Sequence, residues 1–131
     1  MSKRSDLITQ ITTNLSGHSN ISISEELPFD SGGIPLYDKN LNVVYVDEEE
    51  IVVEQLYRTL DQGNVNQTTT TLTAYLSTDA KNQFNDINTV VANLLIARNV
   101  VTNVTDSNSD YETEITDDVI TYTFEYNFIT V

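Results

Sequence analysis

The sequence contains no cysteine and no tryptophan, and it has only two prolines, four glycines, one histidine and six basic residues. Without cysteine there can be no disulfide staple, no thiolate nucleophile and no cysteine-based zinc or iron–sulfur centre. The adjacent glycines Gly32 and Gly33 are followed by Ile34 and Pro35 rather than by a Lys-Ser pair opening a helix, so a phosphate-cradling loop is excluded. His18 follows Gly17 in an expected turn, and no Gly-x-Ser-x-Gly elbow supplies a nucleophile for it to activate. It therefore reads as a surface residue. No window approaches the roughly 18 uncharged apolar residues of a membrane span. Lys3-Arg4 is not followed by the apolar stretch of a signal peptide, so the Asn-x-Ser/Thr triplets at Asn14, Asn20, Asn66 and Asn103 carry no expectation of glycosylation. The expectation is a protein that is not an enzyme, needs no cofactor and contacts no membrane.

What is present is a chain of 131 residues, the size of one domain, expected to span residues 1–131. It is 39% hydrophobic, with seven Tyr and four Phe to supply large apolar surfaces, so a modest core can form. Twenty acidic residues give a formal charge of −14, which repels phosphate backbones and disfavours direct DNA binding. Asp106-x-Asn108-x-Asp110 has the first three liganding positions of a calcium loop. Tyr111 stands where that loop needs glycine and Asp117 where it needs a bidentate Glu, so a plain acidic loop is expected. Asp47 to Glu50 cannot converge on one cation if they lie on a strand, since neighbours alternate faces, and a solvated turn is the simpler reading. No apolar pocket surrounds any carboxylate pair in the manner of a glycosidase.

Hydrophobic spacing predicts the elements. Leu7, Ile8, Ile11 and Leu15 mark a short amphipathic helix from Ser5 to Leu15, capped by Ser5 or Asp6 and stopped by Gly17. Ile21 to Ser24 alternates briefly and reads as a short strand. Residues 27–42 hold both prolines and no sustained period, and are expected to form a surface arm. Val43 to Val46 and the segment from Ile51 read as strands, and the latter pairs with Gln67 to Thr78 across turn residues at 61–66 as a long hairpin. The main helix is expected from Asp79 to Asn99, capped by Ser77 or Asp79, with Phe84, Ile87, Val91, Leu94 and Leu95 on one stripe and Arg98 at its C-terminal end. Val100 to Val104 and, after a polar loop, Tyr111 to Val131 read as extended. The alternation of Ile120, Tyr122, Phe124, Tyr126 and Phe128 with polar residues is the strongest pattern in the chain. The predicted fold class is α+β, an antiparallel sheet with long hairpins and helices packed on one face.

This order of an N-terminal helix, a Pro-containing arm, a long hairpin ending in Leu72-Thr-Ala-Tyr-Leu, one helix and a final strand Ile120-Thr-Tyr-Thr-Phe-Glu-Tyr-Asn-Phe resembles the bacteriophage tail terminator proteins. The likeness spans nearly the whole chain, in pattern and length rather than in diagnostic residues. It implies a virion structural protein, assembled in the host cytoplasm, that forms a homo-oligomeric ring, a hexamer in the family. Such a ring sits on the last ring of tail-tube protein at the head–tail junction, ends tube polymerisation and joins the tail to the head connector in the neck, with DNA passing through unbound. The arm at 27–42 and the acidic balance depart from the family pattern. Other neck and head-completion proteins share the build, and an acidic inhibitor that mimics DNA is an alternative of another class. Within the ring reading, Asp47, Glu48, Glu49 and Glu50 are candidates to line the channel, because a cationic wall would trap phosphates, or else they form an exposed hairpin turn outside. Leu27, Phe29, Ile34, Leu36 and Tyr37 share no internal face and are candidates for contacts with neighbouring subunits or the tube.

Overall fold

The computed structural model describes residues 3–18, 21–24, 26, 31–33, 41–59, 63–80, 87–100 and 104–131. Helix α1 (Lys3–Asn14) buries Leu7, Ile8 and Ile11, the spacing that brings successive turns to one face. It begins at Lys3, so Ser5 and Asp6 lie in its first turn rather than at its cap. Short strand β1 (Ser22–Ser24) pairs in parallel with β2 (Val43–Val46), a departure from the all-antiparallel expectation. β3 (Glu50–Thr59) and β4 (Gly63–Asp79) form the long hairpin, and β4 then pairs along β6 (Val119–Thr130), which pairs with β5 (Asp106–Thr116). The result is a six-stranded, mostly antiparallel sheet in the order β1-β2-β4-β6-β5, with β3 also on β4.

Register puts Val44 and Val46 of β2, Leu72, Ala74 and Leu76 of β4, and Phe124, Tyr126 and Phe128 of β6 on one face, all buried. Against this face lie α1 and helix α2 (Ile87–Ile96), whose Ile87, Val90, Val91 and Leu94 follow the i, i+3, i+4, i+7 stripe. The two layers share one core. The other face is a polar ladder: Thr71 Oγ1 donates to Asn127 Oδ1 (2.8 Å), Asn127 Nδ2 to Asn108 Oδ1 (3.1 Å), and the Ser77 and Thr121 hydroxyls bond at 2.9 Å. That face is not wholly solvated, for Tyr45 and Ser77 are buried on it.

Three expectations are corrected. The main helix does not start at Asp79, because Ser77 to Asp79 finish β4 in register with Thr121 to Val119. Its described part is ten residues followed by a 3-10 turn at Ala97–Val100, and Phe84 lies outside the described residues. Asp106 to Asp110 is not a loop but the first half of β5, since pairing with β6 overrides the poor strand propensity of Asp, Asn and Ser. Tyr111 to Val131 is not one extended run either. It turns at Asp117 and Asp118, both at positive φ (49° and 66°), the conformation a two-residue hairpin needs. Replacing Asp118 with Gly should raise stability by up to about 1 kcal/mol, by removing left-handed strain that glycine does not feel; urea unfolding measures it.

Two polar ties fix the layers. Tyr126 Oη donates to the Leu94 carbonyl at 2.5 Å in the core, and burial pushes the phenol's pKa up. Tyr126→Phe should cost about 1–3 kcal/mol, because a buried carbonyl loses a partner. The raised pKa means that the neutral phenol's contribution is complete below pH ~10 and is lost as pH rises beyond it, where the unfolded chain ionises first. The fall in wild-type urea midpoint above pH ~10 should accordingly be shallower in the variant. At the other end, Arg98 Nη1 reaches Leu95 O (3.2 Å) and Ser109 Oγ (2.8 Å), fastening the 3-10 turn to β5.

Candidate functional site

The feature that departs most from an ordinary two-layer domain is the edge made by β2 and β3. Both pair with the same side of β4, so residues 43–59 form one interrupted strand rather than two strands joined by a reverse turn. Val46 stands opposite Ala74 and Glu50 opposite Thr71, so four steps on one side match three on the other. One extra residue is accommodated at 47–49, which is a β-bulge. Asp47 still donates its N–H to Thr73 O (2.8 Å), and its Oδ1 accepts from Glu48 N (2.8 Å).

Arg4 of α1 anchors the bulge, giving Nε to Asp47 O (3.0 Å) and Nη2 to Val46 O (2.8 Å). A cation in the first turn opposes the helix dipole, and two charge-assisted bonds to carbonyls offset that cost. The extra residue also switches side-chain parity. Ile51 and Val53 fall on the helix-side face, opposite Thr70 and Thr68, while Glu50, Val52 and Glu54 fall on the other.

The acidic candidates Asp47, Glu48, Glu49 and Glu50 thus sit at the bulge and the start of β3, with Glu48 and Glu50 exposed and Asp47 and Glu49 half-buried. They are not a hairpin turn, because the chain continues along the same edge of β4. Of the assembly candidates, Leu27, Phe29, Ile34, Leu36 and Tyr37 all lie outside the described residues; within the arm the structure describes Ser31 to Gly33, Leu41 and Asn42. Beyond the bulge, Ile51, Val52 and Val53 are 55%, 56% and 61% exposed, a run of three aliphatic side chains that sequence inspection did not single out. The signal was available: a continuous apolar triplet between acidic residues, where a half-buried strand would alternate.

Elsewhere the chemistry is sparse. Asp106, Asn108 and Asp110 point from one face of β5 at alternate positions, about 6.8 Å apart, and so diverge instead of encircling an ion. Among the described residues no group of three or more His, Asp or Glu side chains could hold a metal. A concavity of ≈ 250 Å³ on the outer face is lined by Asp110, Tyr111, Glu112, Thr123 and Glu125. Another of ≈ 390 Å³ beside α1 includes Ile8, Leu15, His18 and Ile23. His18 Nε2 lies 3.4 Å from Asn93 Nδ2, and Asn14 Nδ2 donates to Asn93 O (3.0 Å), so this cluster ties the end of α1 to α2. Among the described residues no helix is long and apolar enough to cross a membrane. Comparison with protein-family models gives no match, and comparison with curated sequences gives none either.

Proposed function

We propose that this chain is a structural subunit of a tailed-phage virion, a tail terminator that forms a ring at the head–tail junction, ends tube polymerisation and joins tail to head connector. The observation that carries the reading is the order of elements: helix, extended segment, long hairpin, helix and final hairpin, with both helices on one face of the sheet. The resemblance to tail terminators rests on that order with a Pro-containing arm, most of which lies outside the described residues, and on the final strand, which is β6. A ring closes through heterologous contacts, in which two different patches of one subunit meet on its neighbours. Apolar side chains exposed away from the β3 edge suit one such patch: Tyr111 and Ile115 on β5, the latter 67% exposed, and Ile96 at the end of α2.

The rival reading as a DNA mimic gains one observation, the row of Asp106, Asp110, Glu112 and Glu114 along one face of β5. Charge density disfavours it. One strand of duplex DNA carries a charge per ~3.4 Å of axis, whereas the β5 row offers at most one per ~6.8 Å and is a single row where a duplex presents two. The deciding experiment is a phage lacking this protein. Overlong tails, or tails that fail to join filled heads, are the expected result; tails of normal length joined to full heads would sink the proposal.

A further inference from the structure

Among the described residues the sheet has three edges, and they are built differently. A free strand edge offers unpaired N–H and C=O groups to any passing strand, and proteins blunt such edges by shortness or by charge. β1 is three residues long. β5 carries Asp106, Asp110, Glu112 and Glu114 along its length. β3 has neither protection where it matters: Ile51, Val52 and Val53 are consecutive, β-branched and more than half exposed, and among the described residues β3 pairs only with β4. Among the described residues no strand takes the backbone groups of 50–55 that point away from β4, on a segment whose exposed apolar side chains would gain from a neighbour.

Charge identifies what covers it. Glu48, Glu49 and Glu50 precede the apolar triplet and Glu54 follows it. A second copy of this chain is a poor occupant. Antiparallel self-pairing of β3 centred on Val52, the register that matches the apolar triplet with itself, sets Glu50 against Glu54 twice, and pairing with β5 sets Glu50 and Glu54 against further carboxylates. Like charges opposite one another destabilise a ladder. Apart from Arg58 on β3 itself, no strand of the described structure contains Lys or Arg.

We propose that the β3 edge is a strand-addition site for another protein, taking an extended segment with an apolar, β-branched centre and Lys or Arg at its flanks. Main-chain hydrogen bonds along 50–55 supply register, and the flanking carboxylates select the cationic ends. The bulge at 47–49, held by Arg4, fixes where the edge begins. The inference rests on edge geometry and charge and not on the virion reading, so its failure in solution leaves that reading standing.

The test is titration of the full chain with a fluorescent peptide, Lys-Lys-Thr-Val-Ile-Val-Thr-Lys-Lys, followed by anisotropy and by amide shifts in NMR. Two control peptides carry Glu in place of every Lys, or Pro in place of the central Ile. Binding at least tenfold tighter than either control is expected, with amide shifts centred on 50–55, and with at least a tenfold loss in the double variant Glu50→Lys, Glu54→Lys. Those positions are exposed, so the variant should keep the wild-type fold, which its amide spectrum verifies. The Pro control keeps the charge but cannot complete a ladder. Equal binding of the Pro peptide, shifts mapping to the β5 carboxylates, or concentration-dependent self-association through β3 would each overturn the proposal.

Discussion

Phe124→Ala is expected to cost about 3–5 kcal/mol, the range for removing a large aromatic from a core. Phe124 is fully buried in the middle of β6, opposite Ala74 on β4 and Tyr111 on β5. Its ring lies 5.8 Å from that of Tyr111 and 6.4 Å from that of Tyr122, which are themselves 6.3 Å apart, so truncation removes one of three mutually packed rings. Collapse cannot refill the site cheaply, because Ala74 is already small and its backbone is fixed by strands on both sides. Set against a total of roughly 5–15 kcal/mol for a domain, this loss consumes a large fraction of the margin. A fall in urea midpoint without a change in slope is the expected signature, and a loss below about 1 kcal/mol would show that the face is not packed as described.

Replacing Asp47, Glu48, Glu49 and Glu50 together with Lys is expected to have the other large effect, on DNA transit. The four positions are consecutive at the start of the β3 edge, and the change turns four negative charges into four positive ones per subunit. If this segment faces the channel of the proposed ring, cationic side chains pair directly with phosphates, and the summed attraction holds the duplex. The native carboxylates repel it only mildly beyond a Debye length of about 8 Å at physiological salt. Slowed ejection, relieved as salt rises, is the expected outcome. Ejection at the wild-type rate from normally assembled virions would move the segment out of the channel. The loss of the Asp47 contact to Glu48 N costs about 1 kcal/mol, which leaves the fold intact.

Much of the fold was legible because its signals are periodic. Leu7, Ile8 and Ile11 announced α1, and the alternation from Ile120 to Phe128 announced β6, an interior strand of the sheet. Where the reading failed, local propensity pointed one way and pairing the other. Asp106 to Asp110 has the composition of a loop, yet a neighbour as regular as β6 offers it a complete ladder. Ser77 and Asp79 are common helix caps, yet both are spoken for by Thr121 and Val119. Asp117-Asp118 is a weaker turn signal than Asn-Gly, which hid the final hairpin inside a supposed single strand. The acidic segment at 47–50 looked like an interruption between strands, and only the register of β4 shows it as a bulge. The parallel pairing of β1 had no signature in the sequence, since three residues are too few to carry one. Of the candidate site, the acidic residues are legible in the sequence, while Ile51, Val52 and Val53 read there only as part of a strand, because exposure is decided by tertiary neighbours.

The central claim, that this chain is a ring subunit at the junction of head and tail, is tested most directly by electron cryomicroscopy of the virion with this chain fitted to the density. The account predicts a single ring of copies between the last tube ring and the connector. Density for the chain on the capsid surface or at the distal tail tip, or a virion that contains none of it, would contradict the account.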